Sequence, residues 1–156
     1  MRMNIMAEKR SEELLEREGL PITERYFTAT EQEAVRKAKA LGYPLVMKVS
    51  SDKIIHKSDV HGVITDVRNE LEVKEAFRRL KRIKNCQEVM LQQRVDGHQL
   101  LVGIKKDEVF GHALAVGAGG IYTEIIKDVT FRICPITKKD AREMLKELKF
   151  YDILKG

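Results

Sequence analysis

The chain has 156 residues, with 29 lysines and arginines against 24 acids and a formal net charge of +5. Hydrophobic residues at 43% and charged residues at 34% exclude a disordered chain, and the length suits one domain or two small lobes. The basic balance suits an anionic ligand, but scattered charge, 6% aromatics and no Trp argue against a nucleic-acid platform.

No apolar run reaches the ~20 residues needed to span a bilayer, and no signal peptide follows Met1-Arg2-Met3. Cys86 and Cys134 lie far apart, without CxxC or zinc-ligand spacing. A cytoplasmic protein with reduced thiols and no membrane contact is expected. Abundant Lys, Arg and Glu with sparse Asn and Gln fit a thermophile.

In chain order, residues 8–18 read as a helix with Leu14 and Leu15 apolar, stopped by Gly19 and Pro21. Thr30 and Glu33 have capping-box spacing and open a helix with Ala34, Val35, Ala38 and Leu41 on one face, ending at Gly42. Residues 44–49 read as a strand, 50–61 as a polar loop and 63–67 as a second strand. A helix is predicted over 71–83, with Val73, Ala76, Phe77, Leu80 and Ile83 on one side. A third strand begins at 88–91, and Val95-Asp96-Gly97 reads as a joint. Beyond it, strands over 99–104 and 109–116 flank a turn at 105–108. Gly117-Ala118-Gly119-Gly120 reads as a flexible loop, and residues 121–136 alternate apolar and polar. Thr137 and Asp140 then resemble a capping box opening a last helix over Ala141, Met144, Leu145 and Leu148. This order predicts an α+β fold with two lobes, 1–95 and 96–156, and no internal repeat.

Three segments carry chemistry. Lys48 is the one charge in an apolar strand, so its ammonium either meets an anion such as phosphate or reaches water at the strand end. His56-Lys57-Ser58-Asp59 puts a nucleophile, a cation, a hydroxyl and a carboxylate within four positions, which suits phosphoryl chemistry or a polar surface loop. The glycines at 117, 119 and 120 lack the P-loop pattern, yet either let amides approach an anion or end a hairpin. Glu124 and Asp128, four apart, either share a helix face or sit at loop ends.

The segments GYPLVMKV, IIHKSDVHGV and VGAGGIYTEIIKDVTFRICPI together resemble the ATP-grasp subunit of ADP-forming acyl-CoA (acetate–CoA) synthetases, relatives of succinyl-CoA synthetase. The resemblance runs from Glu12 to Gly156. It implies an ATP-grasp fold holding nucleotide between two lobes. Lys48 matches the lysine on the nucleotide phosphates, with Lys57 beside it. Gln92, Gln93 and Val95 match the hinge that contacts adenine, and His56 matches a transient phosphoryl acceptor. Ser58, Asp59, Gly119, Gly120 and Glu124 become phosphate-loop candidates. The implied activity is that of an acid–thiol ligase (ADP-forming). A CoA-binding alpha-type partner subunit forms the acyl phosphate in a hetero-oligomer, its own histidine passes phosphate to His56, and His56 delivers it to ADP. ATP or ADP and Mg2+ are the implied cofactors.

Departures from the family pattern are His61-Gly62 in place of Gly-Gly, Gln99 in place of Glu, and His112 in place of Pro. A side chain at His61 is expected to crowd the loop or to add a phosphate contact. The family's acidic-x-acidic-x-Asn-Pro motif does not occur, so no metal ligand is assigned and the Mg2+ ligands are expected outside this chain. The chain is expected to be inactive without its partner. The competing expectation is a truncated, non-catalytic remnant that binds nucleotide or the partner.

Overall fold

The computed structural model describes residues 6–120 and 127–155. The chain forms two compact units, Met1–Val95 and Asp96–Gly156. Helices and antiparallel sheets occur in both, so the fold is α+β.

The first unit contains α1 (Glu8–Arg17), β1 (Arg25–Thr28), α2 (Glu31–Leu41), β2 (Leu45–Ser50), a 3-10 turn (Lys57–Val60), β3 (Val63–Val67), α3 (Glu70–Lys81) and β4 (Glu88–Gln93). Its sheet has the order β1-β4-β2-β3, antiparallel throughout. Strand β2 alternates strictly. Leu45, Met47 and Val49 are fully buried, while Val46, Lys48 and Ser50 turn to the other face. The buried set meets Ala34 and Ala38 of α2 and Val73, Phe77 and Leu80 of α3, forming the core with Val89 and Leu91 of β4. Both helices start on a side-chain cap. Thr30 Oγ1 accepts from the Glu33 amide at 3.3 Å, and Asn69 Oδ1 from the Glu72 amide at 3.0 Å, each stabilising its helix by about 1 kcal/mol.

Helix α1 differs from the other two. It buries no residue, and its apolar pair, Leu14 and Leu15, is exposed. Strand β1 was not expected from the sequence. It is four residues long with only Thr28 buried, so its periodicity is too short to stand out, and it exists by pairing with β4.

The second unit contains β5 (Leu100–Asp107), β6 (Gly111–Ala118), β7 (Val129–Ile133), α4 (Lys138–Glu147) and α5 (Tyr151–Leu154), with sheet order β5-β6-β7. Met144 and Leu148 close its core over Val116. The capping box at Thr137 and Asp140 forms in both directions, at 3.2 and 2.7 Å. The turn expected at 105–108 lies three residues later. Lys105 and Lys106 belong to β5, and Asp107 Oδ1 accepts from the amides of Val109 and Phe110, both at 2.9 Å. Gly117 and Ala118 belong to β6 rather than to a loop.

Gly62 fixes the segment between β2 and β3. Its amide donates to the Lys57 carbonyl at 2.7 Å, and its carbonyl accepts from the Val49 amide at 2.8 Å. A Cβ there would lie 2.4 Å from Val49 Cγ1 and 3.0 Å from the Lys57 oxygen. Gly62→Ala should therefore destabilise the protein by about 1–3 kcal/mol through overpacking, read as a lower urea midpoint. An unchanged midpoint would show that the segment gives way freely.

Candidate functional site

The polar face of the first sheet carries the site. Lys48 projects there from β2, opposite Val63 of β3 and Met90 of β4, with its side chain 21% exposed. An ammonium this far from water needs an anion. Glu8 supplies it: Oε1 lies 3.0 Å from Lys48 Nζ, and Oε2 lies 2.5 Å from Lys57 Nζ. The Lys57 side chain is 14% exposed, so two largely desolvated cations share one carboxylate.

The same helix repeats the device one and two turns on. Glu12 Oε2 lies 2.6 Å from Arg25 Nε, an ion pair not aligned as a hydrogen bond, while Glu12 Oε1 accepts from Gln92 Nε2 at 3.2 Å. Glu16 pairs with Arg25 at 3.1 Å, and Lys9 with Glu88 at 2.8 Å. Glutamates at 8, 12 and 16, four residues apart, thus pair with Lys48, Lys57 and Arg25. Burial pushes the Glu8 carboxyl up, but hydrogen bonds from Lys57 and Lys48 outweigh it and hold the group below its ordinary range. Burial and then the Glu8 charge push Glu12 up, against the pull of Arg25 and Lys48. Glu8 was missed in the sequence reading. The four-residue spacing of acids on a helix with a poor apolar face was the available signal.

His56 precedes the 3-10 turn and is exposed, with no capping bond from its side chain. Ser58 and Asp59 are also exposed, while Lys57 turns inward to Glu8. His61 closes the turn in the left-handed conformation, at φ 51° and ψ 35°. That is the region glycine enters freely, so this departure from Gly-Gly is a matter of backbone geometry. Clefts of ≈ 250 and ≈ 340 Å³ adjoin the turn and share Ala7, Glu8, Ser51, Asp52 and Lys57.

The remaining candidates are spread more widely. Gln92 and Gln93 lie inside β4, and the Gln93 amide is taken by the Glu24 carbonyl at 2.9 Å. The Gln92 side chain is tied to Thr23 at 2.6 Å as well as to Glu12. Val95, at the end of the first unit, is 67% exposed. In the second unit the Gly119 amide donates to the Gln99 carbonyl at 2.7 Å, and a Cβ there would lie 2.8 Å from the Gln99 carbonyl carbon. Gly120, at φ 62°, packs against the Gln99 side chain. These glycines allow a close backbone approach to Gln99. Asp128 is buried and accepts from the amides of Lys149 and Phe150 at 3.0 and 3.1 Å, which pins the start of α5. Glu124 lies outside the described residues. Among the described residues, no group of three or more His, Cys, Asp or Glu side chains is placed to hold a metal ion.

A family profile described as an ATP-grasp domain matches residues 2–156, and this chain belongs to the ATP-grasp family. Within it, the chain matches the part found in ADP-forming acetate–CoA ligases. It is 42% identical over 153 residues to acetate–CoA ligase [ADP-forming] II of Archaeoglobus fulgidus, covering 97% of this chain and 23% of that protein. It is 40% identical over 159 residues to acetate–CoA ligase [ADP-forming] I subunit beta of Pyrococcus furiosus, covering 97% and 68%. The dinucleotide-forming acetyl-coenzyme A synthetase 1 of Ca. Korarchaeum cryptofilum, solved with coenzyme A and Ca-AMPCP, superposes with a TM-score of 0.87 at 32% identity, covering 97% of this chain and 69% of that one. A second structure of that synthetase holds coenzyme A and Mg-AMPPCP, with a phosphohistidine segment pointing towards the nucleotide site. It superposes with a TM-score of 0.78 at 33% identity, covering 95% and 66%.

The Glu8 ion pairs make a pH signature. A carboxyl depressed on folding adds stability that is complete above its ordinary value of 4.5 and is lost as pH falls through the lower folded value. The difference in thermal midpoint between the wild type and Glu8→Gln should be constant above pH about 5 and shrink below it. A difference independent of pH would show that the carboxylate charge contributes nothing.

Proposed function

We propose that this chain is the ATP-grasp part of an ADP-forming acyl-CoA synthetase, and that His56 carries phosphate to ADP. The observation that carries this reading is the convergence of the Lys48 and Lys57 ammoniums on one anion, with an exposed imidazole at the next residue. A phosphoryl group resembles a carboxylate in charge and acceptor geometry, so the pair is suited to both.

The steps follow from these residues. A lone pair on a His56 ring nitrogen attacks phosphorus, an N–P bond forms, and the donor leaves with the electrons of its P–O or P–N bond. A terminal oxygen of ADP then attacks phosphorus, and the N–P electrons return to the ring. Lys48 and Lys57 neutralise charge on the transferred group in both directions. Positioning and cations, rather than acid–base chemistry, then account for the rate. The overall reaction turns acyl-CoA, ADP and phosphate into acid, CoA and ATP. Gln92, Gln93 and Val95 are assigned to the adenine side. Mg2+ held with the nucleotide would neutralise part of the phosphate charge there. A CoA-binding alpha-type subunit completes the reaction in a hetero-oligomer. The free thiols of Cys86 and Cys134 agree with a cytoplasmic setting.

One observation favours a second reading, a non-catalytic binding module: both cations are already satisfied by Glu8. Incubation with [γ-32P]ATP and Mg2+, alone and with a CoA-binding alpha-type subunit, separates the two. Acid-labile label at His56 is expected. Lys48→Met should slow labelling by roughly 100-fold or more, and His56→Gln should abolish it. Absence of label with the partner present would leave only the binding module, and label that survives His56→Gln would overturn the assignment of His56 as the acceptor.

A further inference from the structure

The carboxylate of Glu8 occupies the seat that the proposed function gives to phosphate. Its oxygens lie 3.0 and 2.5 Å from the two ammoniums, distances at which phosphate oxygens would also sit. The helix that delivers it has no fully buried residue. Helix α1 is ten residues long, buries no side chain, and has Ala7 at its N-cap with no side-chain capping bond. A helix of this length is marginal by itself. Its attachments to the sheet include ion pairs and a hydrogen bond from Glu8, Lys9, Glu12 and Glu16, and the Lys9 ammonium also lies 4.6 Å from the centre of the Phe27 ring. Such contacts weaken together once one is displaced, because each depends on the helix lying flat.

We propose that Glu8 is an internal stand-in for nucleotide phosphate: its carboxylate bridges Lys48 and Lys57, and ADP or ATP binds by displacing it and loosening α1 from the sheet. The idea rests on the assignment of Lys48 and Lys57 to phosphate. Its physical basis is exchange. Two desolvated ammoniums cannot be left without an anion, so the site is charged at every stage by either a carboxylate or a phosphate. Both cannot fit between the same pair, because two anions at hydrogen-bonding distance from one ammonium pair repel each other strongly in a partly desolvated setting. Removing the charge on Glu8 therefore removes a competitor. A residue that merely braced the lysines would act in the opposite sense.

Calorimetric titration of the full 156-residue chain with ADP, with and without Mg2+, tests the sign. Glu8→Gln keeps the size and polar character of the side chain and should tighten ADP binding about fivefold or more. Lys48→Ala should weaken it in both backgrounds. Hydrogen exchange should show faster exchange across α1 in wild-type protein when ADP is added, and this readout needs no variant to fold. Weaker or unchanged binding in Glu8→Gln, or α1 protection that rises with ADP, overturns the stand-in while leaving the site in place. ADP binding that ignores Lys48→Ala overturns the phosphate assignment itself, and the stand-in with it.

Discussion

The bridge from Glu8 to Lys48 and Lys57 is the contact on which the rest of the polar face depends. Both ammoniums are largely withdrawn from water, and leaving them without an anion would be destabilising. The fold therefore has to bring a negative group to the middle of that sheet face. Helix α1 brings it, from Glu8. Its leucines are exposed, while Glu8 and Glu12 turn toward the sheet.

The alternation of β2 separates core side chains from the polar face within six residues. Leu45, Met47 and Val49 join the apolar core under α2 and α3, while Val46, Lys48 and Ser50 face α1. Lys48 can therefore change its partner without disturbing a core side chain. Gly62 extends the division to the loop, since it bonds to Val49 on β2 and to the Lys57 carbonyl in one residue. The backbone of the His56 turn is thus fixed to a strand of the core, while His56 itself stays exposed.

Much of this was legible in the sequence. Helices α2 and α3 showed in their apolar period, and the box at Thr137 and Asp140 showed in its spacing. Lys48 stood out as a charge in an apolar run. What escaped depended on partners distant along the chain. Strand β1 is a strand because β4 lies beside it, and Glu8 meets Lys48 across 40 positions. The hairpin turn was misplaced because Lys105 and Lys106 look like turn residues, whereas β5 tolerates them on exposed positions and Asp107 makes the turn. Gly119 and Gly120 suggested an anion loop or a hairpin end, and nothing local named Gln99 as the group they approach.

His61 shows how a departure from a family pattern acquires physical content. Left-handed backbone strains a side chain by about 1 kcal/mol or more, and glycine avoids that strain. Yet the hydrogen bonds that close the turn, His61 amide to Ser58 carbonyl at 3.0 Å and Gly62 amide to Lys57 carbonyl at 2.7 Å, form with histidine present. The second glycine is the one the packing demands, because any Cβ at Gly62 meets Val49. Of the paired glycines in the family, one answers to conformation and the other to space, and this chain keeps the one for which no rotation of φ offers an escape.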